Sequence, residues 1–320
     1  MKCLITGVNG FVGSYLSEFL LGKNVNIIGT AYPDGANQNI HHILHKIKVF
    51  SCNLINPEGI DLIIKENTPD IIFHLAGQGN VPLSWQNPAG TFKINVLGTL
   101  HLLSAIKTHS PSSKILIIGS GDEYDFSSKK KPVNEGGMLM PKNPYALSKL
   151  CVDLLAYQMG KYHKLHMVRV RPFPHIGPRQ TPNFVVSDFC RQVALIEKNR
   201  QRPVICTGNL NTERDFTDVR DMVEAYWLAV NKGKNGEVYN ISSGNVLKIK
   251  EILKKILKLT KTKIRVETDQ AKIRQDDTET KQGSSKKFRT LTGWKPKVPL
   301  ERTLEETLNW WRMQINQHLA

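Results

Sequence analysis

The chain is short of acid and of cysteine. Its 320 residues carry 28 Asp and Glu against 44 Lys and Arg, a formal net charge of +16, and five cysteines. Cys3, Cys52, Cys151, Cys190 and Cys206 are scattered, odd in number and without a C-x-x-C pair, so neither a disulfide framework nor a metal site is expected. No apolar run approaches the length of a membrane-spanning helix. Residues 1–7 enter a strand-like run at once, which leaves no room for a signal peptide, and a cytoplasmic protein is expected. Repeats and low-complexity tracts are also missing. The deficit of acid bears on attraction to anions, not on fold. Much of the excess base lies in 248–265, where Ile249, Ile252, Leu253, Ile256 and Leu257 keep helical spacing. A lysine-clad amphipathic helix explains that stretch, since no aromatic residues interleave with the basic ones as a nucleic-acid surface would require. Neither nucleic acid nor membrane is an expected partner.

What is present is alternation. Short runs rich in Ile, Val, Leu and Phe at 3–6, 25–29, 48–51, 70–75, 114–118 and 166–171 read as strands. Between them, 11–21, 60–66, 91–107 and 145–162 read as helices. Alternating β and α over 170 residues implies an α/β fold, a doubly wound parallel sheet, because parallel strands need long crossovers and these are usually helical. Ligands in such sheets bind beyond the carboxyl ends of the strands. After Arg171 comes a Pro, Arg and Gln rich segment at 172–182, then a helix near 185–198, a return strand near 237–242, a loop at 268–285 and a terminal helix at 300–314. The expected organisation is a dinucleotide-binding domain over 1–171 and a smaller, mainly substrate-binding lobe over 172–320.

Three motifs fall at the expected strand ends. Thr6-Gly7-Val8-Asn9-Gly10-Phe11-Val12-Gly13 follows the first strand and opens a helix; its glycines allow close approach of a pyrophosphate to the helix N-terminus. The second strand ends near Thr30 with no acidic residue to hold the ribose diol of NAD and no arginine for a 2'-phosphate, although Asp34 is near. NAD and NADP both remain open, and the missing carboxylate favours NADP. Tyr145-Ala146-Leu147-Ser148-Lys149 places a phenol and an ammonium on one helix face, where Lys149 can lower the phenol pKa and hold a cofactor ribose. The same spacing recurs at Tyr157 and Lys161, but twelve residues at about 100° each put that pair about 120° round the helix. Asn143-Pro144 marks Tyr145 as the helix start, so Tyr157 is expected to face solvent or a partner. Ser120, directly after the 114–118 strand, can share a substrate oxygen with Tyr145.

These segments, with His74-Leu75-Ala76-Gly77-Gln78, Asn95-Val96-Leu97-Gly98-Thr99, Arg171-Pro172-Phe173, Gly177-Pro178 and Arg214-Asp215-Phe216, resemble the extended short-chain dehydrogenase/reductases that act on nucleotide sugars. The resemblance covers essentially the whole chain. It implies catalysis by Ser120, Tyr145 and Lys149, and a cofactor bordered by Gly7, Gly10, Phe11, Val12, Gly13, Thr30, Asn53, Leu54, Leu75, Ala76, Gly77 and Asn95. It further implies a nucleotide-diphosphate sugar near Gln78, Asp122, His175 and Arg191, with Arg214 and Arg274 on the diphosphate and Asp277 at the nucleotide ribose. Guanidinium forks suit phosphate oxygens. Gly177-Pro178-Arg179-Gln180, Asp188 to Gln192, Gly208-Asn209-Leu210 and Arg214 to Asp221 look most like the GDP-mannose branch, its 4,6-dehydratases and 4-keto-6-deoxy-mannose reductases. The family commonly has Asn where Pro174 stands, so a contact made there is lost or replaced, for instance by His175.

A dehydratase needs a positioned carboxylate for proton transfer at carbon 5 besides the phenol. There a serine or aspartate and then a glutamate follow the catalytic hydroxyl residue. This chain has Gly121 and the shorter Asp122, with Glu123 one place on, and looks more like a reductase. The expectation is NAD(P)H-dependent reduction of a GDP-linked 4-keto-6-deoxy sugar, giving GDP-D-rhamnose. The alternatives are a GDP-mannose 4,6-dehydratase or related epimerase, and a catalytically silent nucleotide-binding partner protein. A homodimer through the helices beginning near Thr91 and Tyr145 is expected from the resemblance, with Tyr157 and Trp227 available for packing.

Overall fold

The computed structural model describes residues 1–127, 132–273 and 278–317. Six strands, β1 (Lys2–Thr6), β2 (Asn26–Ala31), β3 (Lys48–Ser51), β4 (Ile71–His74), β5 (Lys114–Ile118) and β6 (His166–Pro172), join the strand Val238–Ile241 in a seven-stranded sheet. Its order is Val238–Ile241, β6, β5, β4, β1, β2, β3, and every pairing is parallel. The chain reverses direction across the sheet between β1 and β4, which opens a crevice beyond their carboxyl ends. Because both faces are covered, the strands are continuously apolar; Ile71, Ile72 and Phe73 of β4 are all buried.

Helices α1 (Phe11–Leu21) and α2 (Pro57–Asn67) follow the first and third strands. Leu16 and Leu20 of α1 pack on one face with Ile5, Phe73 and Val170. Ile60, Ile63 and Ile64 of α2 pack on the other with Leu102, Ile115 and Val152. The helix expected over 91–107 is not one element. Short α3 (Val81–Gln86) and α4 (Pro88–Phe92) lead into a π-turn, Lys93–Leu97, before α5 (Gly98–His109). A π-turn inserts a residue and rotates everything beyond it, and such turns cluster at functional sites; here it carries Asn95. Helix α6 (Pro144–His163) starts where Asn143 accepts a hydrogen bond from the Ala146 amide at 2.8 Å, with Pro144 in the first turn.

The sequence reading assigns nothing to 219–232, where a helix, Val219–Lys232, is capped by Asp218 and packs Met222, Tyr226 and Ala229 under the same sheet face as α1. The 3.6-residue spacing of those apolar positions carries that signal. A further apolar cluster draws Val186, Phe189 and Val193 of Val185–Glu197 together with Ile252 and Ile256 of Ile249–Leu257 and Leu304 and Leu308 of Leu300–Gln317. This cluster is drawn from residues 176–315 and is separate from the two clusters flanking the sheet.

Between β1 and α1, Gly7 adopts φ +71°, and its amide and that of Val8 donate to the Thr30 carbonyl at 2.9 and 3.0 Å. A Cβ on Gly13 would lie 2.2 Å from the Gly7 carbonyl oxygen. Backbone cannot yield as a flexible side chain can, so Gly13→Ala is expected to destabilise the protein by about 1–3 kcal/mol. Denaturant unfolding measures this, and an unchanged midpoint would mean that the loop relaxes freely.

Candidate active site

Tyr145 sits in the first turn of α6 and Ser120 just after β5, and the serine hydroxyl is among the groups that act on the phenol. Burial pushes the phenol pKa well above its ordinary value. The carboxylate of Asp122 and, less, that of Glu123 add to the rise, while the Ser120 bond works against it. Lys149, expected to lower that pKa, is not among the groups that move it. Burial instead pulls the Lys149 ammonium itself down to about 8, against an opposing pull from Glu123, and its field falls on His74. The second Tyr/Lys pair is elsewhere. Tyr157 is 40% exposed and stacks under the Arg169 guanidinium at 4.9 Å.

Ser120 is held from beneath. Its amide donates to Glu123 Oε1 at 2.6 Å, and its hydroxyl accepts from the Asp122 amide at 3.1 Å. Glu123 is fully buried beside Arg171, 2.8 Å from its Nε, and beside Asp153, which also receives Arg169 Nη1 at 2.6 Å. Burial and the neighbouring Asp153 raise the Glu123 pKa above the carboxylate range, Arg171 notwithstanding, which favours its neutral form. On the solvent side Asp122 has another partner: Lys281 Nζ lies 2.7 Å from its Oδ1.

A second set of bonds fixes the crevice between β1 and β4. The Ala76 amide donates to Thr6 Oγ1 at 3.1 Å, and that hydroxyl lies 2.8 Å from His74 Nδ1. His74 Nε2 lies 2.8 Å from Thr99 Oγ1, which donates to the Asn95 carbonyl at 2.5 Å. The Thr99 hydrogen being spent, His74 Nε2 must carry the hydrogen and Nδ1 must accept from Thr6. Burial holds the His74 pKa down to about 3, so the ring is neutral and the relay has one polarity.

The expected site residues divide by what occupies them. Gly7, Gly10 and Gly13 form the turn, Val12 lies half-buried behind it, and the Phe11 ring stacks on His175 at 6.1 Å. Burial lowers the His175 pKa, while its Nδ1 donates to the Phe173 carbonyl at 3.2 Å. Leu75, Ala76 and Gly77 form the turn after β4, with Gly77 exposed. Asn95 is buried; its Oδ1 accepts from the Gln78 amide at 2.7 Å and its Nδ2 donates to the Gln78 carbonyl and to Ser148 Oγ. It thus bolts the turn after β4 to α6. The Gln78 side chain is likewise engaged, with Thr91 and the Asn80 amide. Asn53 caps its own turn at Ile55, and the Leu54 carbonyl is 2.9 Å from His101 Nδ1. Pro174 supplies a carbonyl to the Thr217 amide at 3.0 Å. Arg214 is buried, with Nη1 bonded to the carbonyls of Glu213 and Thr278. Arg191 is half-buried and makes no hydrogen bond or ion pair among the described residues. Arg274 and Asp277 lie outside the described residues.

Beyond β2 a cavity of about 410 Å³ is lined by Ala31, Tyr32, Asn37, Val49, Ser51 and their neighbours. None of its lining side chains is charged. A glycine turn at a helix N-terminus, open backbone at 75–77 and this uncharged pocket form one continuous edge suited to a dinucleotide.

The sequence profile described as GDP-mannose 4,6 dehydratase matches residues 4–307. The chain belongs to this family. Among the relatives of this GDP-mannose dehydratase-family protein is the GDP-6-deoxy-D-mannose reductase of Pseudomonas aeruginosa, 32% identical over 99% of each chain. The human GDP-mannose 4,6 dehydratase is 28% identical over 96% of this chain and 90% of its own. Among solved structures, RMD of Pseudomonas aeruginosa complexed with NADPH superposes with a TM-score of 0.86, at 32% identity, over 98% of this chain and 99% of that one. Thermus thermophilus UDP-glucose 4-epimerase in complex with NAD does so with a TM-score of 0.88 at 26% identity, over 98% and 99%.

Sequence reasoning missed Glu123, His74 and Lys281 as site residues. A glutamate three residues after a serine is a capping-box spacing and was visible. The Lys281 contact spans 159 residues and had no local signal. Because the Glu123 pKa lies above that of the unfolded chain, its proton supports the fold at low pH, and that support fades as pH rises through the raised value. Glu123→Gln keeps an acceptor for the Ser120 amide and a donor towards Asp153. It is expected to melt within about 2 °C of the parent at pH 6 and several degrees above it at pH 9; equal loss at both would contradict a neutral Glu123.

Proposed function

We propose that the protein reduces the 4-keto group of a GDP-linked 4-keto-6-deoxy sugar, GDP-4-dehydro-6-deoxy-D-mannose, to GDP-D-rhamnose with NADPH. The observation that carries this reading is the half-buried phenol of Tyr145 in the first turn of α6, with Ser120 among the groups that act on it, and a carboxylate, Asp122, that is tied to Lys281. The full-length likeness to the Pseudomonas aeruginosa reductase supports the same reaction. The uncharged pocket beyond β2, which offers no carboxylate to repel a 2'-phosphate, supports NADPH.

Bound NADPH supplies a hydride to the carbonyl carbon. The protein's part is to hold the carbonyl oxygen and protonate it. Ser120 and Tyr145 donate to that oxygen, and the phenol gives up its hydrogen as negative charge grows there. Its raised pKa keeps it protonated until then. Lys149, one turn further along α6, offers a charged donor for the cofactor ribose. Arg191, which makes no ion pair among the described residues, supplies a cation for the diphosphate, and Arg214 lies in the matching motif. His175, stacked on Phe11, walls the sugar side of the glycine turn. In this reading residues 1–171 carry the dinucleotide and the later part carries the nucleotide sugar. A cytoplasmic setting fits the reducing state of its five free thiols.

We also infer a homodimer through α5 and α6, because Ile94, Leu100, Leu147, Leu154 and Tyr157 expose apolar surface there. Trp227, by contrast, packs against its own core. Leu154→Glu is expected to yield a monomer in sedimentation, and an unchanged mass would place the interface elsewhere.

The assay supplies GDP-4-dehydro-6-deoxy-D-mannose with NADPH and follows loss of NADPH absorbance. Tyr145→Phe is expected to lower kcat by about 10²–10⁴ with little change in KM; retention of parent activity would remove the chemistry. Conversion of GDP-mannose alone into a keto-sugar would show dehydration instead. The kcat/KM of the parent is expected to fall above a pH of about 8 as Lys149 loses its proton, and Lys149→Arg, slow but permanently charged, loses that limb.

A further inference from the structure

Among the described residues, five other than glycine hold a left-handed backbone: Asn24, Thr68, Lys164, Arg179 and Asn199. Four of them close a helix, where that conformation is ordinary. Thr68 and Lys164 end α2 and α6, and Asn24 and Asn199 follow shortly after α1 and Val185–Glu197. Arg179, at φ +73°, follows the strand His175–Ile176 and closes none. It is the third residue of a turn, Gly177-Pro178-Arg179-Gln180, whose last amide donates to the Gly177 carbonyl at 3.4 Å. With proline second and a left-handed residue third, such a turn favours glycine in third place, because a Cβ is strained there. Strain of this kind persists only where the surroundings over-determine it, and it gathers at ligand clamps.

What holds Arg179 is α1. Its Nη1 lies 2.7 Å from Glu18 Oε1 and donates to Ser14 Oγ at 3.3 Å, and its guanidinium sits over the Tyr15 ring at 4.6 Å. The same Glu18 oxygen lies 2.6 Å from His42 Nε2, so the carboxylate is held from its other side as well. Ser14 in turn donates to the Phe11 carbonyl at 2.9 Å. Phe11 and Tyr15, four residues apart, share one helix face and meet edge to face at 5.9 Å. Phe11 then stacks on His175 at 6.1 Å, with the planes 8° apart. Guanidinium, phenol, phenyl and imidazole thus form one column along the first two turns of α1, and the backbone from 175 to 179 joins its two ends. Gly177 lies within this loop, where a Cβ would come 3.7 Å from the Phe11 ring and 2.9 Å from Val219. Glycine at 179 would make the turn but leave the column open.

We propose that Arg179 is a positioning residue for the dinucleotide: by anchoring the far end of this column it fixes the Phe11 ring and the 175–179 segment against the first turn of α1, whose free amides receive the pyrophosphate. Arg179 spends its charge on Glu18, so it acts through Phe11 and not on a phosphate. Amides at a helix N-terminus have no partner within the helix. A segment already fixed beside them spares the ligand the cost of ordering it, which is the usual source of affinity in a preorganised site.

The inference rests on dinucleotide binding at the glycine turn and not on the sugar reaction, so the test reads binding directly. NADPH is titrated into the protein and its fluorescence followed, with no turnover. Arg179→Gly relieves the backbone strain while removing the clamp; it is expected to melt within about 3 °C of the parent and yet to bind NADPH about 10-fold more weakly. Arg179→Lys keeps a cation for Glu18 and should recover part of the loss. Glu18→Gln should weaken NADPH in the same direction and add little to Arg179→Gly, since both remove one contact. In turnover, KM for NADPH should rise by more than kcat falls. Parent-like NADPH affinity in Arg179→Gly, or additive effects of the two substitutions, would overturn the role of Arg179. If Arg179→Gly does not melt cooperatively, Glu18→Gln decides alone: parent-like affinity there refutes the clamp. A parent that binds no NADPH would overturn the dinucleotide reading itself.

Discussion

Ser120 can meet the phenol of Tyr145 because its own amide hangs on a carboxyl group that bears no charge. An ionised Glu123 in that position would face the carboxylate of Asp153 in a buried site, with Arg169 and Arg171 as the neighbouring cations. Asp153 takes Arg169 and one side of Arg171, while Glu123 has one oxygen 2.8 Å from Arg171 Nε and the other accepting from the Ser120 amide. Arg171 also donates to the Tyr124 hydroxyl, which passes its hydrogen to Asn240 on the return strand. The hydroxyl after β5 is therefore indexed to α6, β6 and the Val238–Ile241 strand together. Buried polar networks of this kind rigidify what they hold, which is the property an oxygen-holding site requires.

The second polar chain does for the crevice what the first does for the serine. Ala76, Thr6, His74, Thr99 and Asn95 come from the turn after β4, the ends of β1 and β4, the helix α5 and the π-turn. Their bonds run in one direction only because the histidine is neutral. A protonated His74 would donate from both nitrogens, and Thr6, its own hydrogen turned away, would have to accept from the ring and the Ala76 amide together. Burial, aided by the positive charge of Lys149, prevents this across the physiological range. The cation proposed for catalysis thus also helps to keep the crevice in register.

Local signals made much of this legible in the sequence. The glycine turn, the β3 and β5 boundaries and the Tyr145/Lys149 pair all rest on short-range pattern, and a chemical rule chose Tyr145 over Tyr157: Asn143-Pro144 starts a helix. Asn95 was read as lining the cofactor, whereas both ends of its amide are spent on Gln78 and Ser148. That placement depends on the π-turn, which has no composition signature and shifts the face that a regular helix would predict. Helix Val219–Lys232 was legible from its apolar spacing. Glu123 and Lys281 were not, since a protonated carboxyl and a lysine 159 residues away acquire their meaning only from tertiary burial.

The electrostatics of the phenol bear on the direction of the chemistry. A tyrosine that removes a proton from an alcohol must first be ionised, and desolvation beside two carboxyl groups works against that. One that gives a proton to a forming alkoxide needs only to remain protonated until the charge arrives, and the alkoxide is the stronger base even when the phenol pKa is raised. The resting site therefore favours donation. Tying Asp122 to Lys281 tempers its field, which keeps the phenol from becoming too weak an acid to serve. The ion pair between Asp122 and Lys281, which joins the two halves of the chain, therefore bears on the strength of the proton donor.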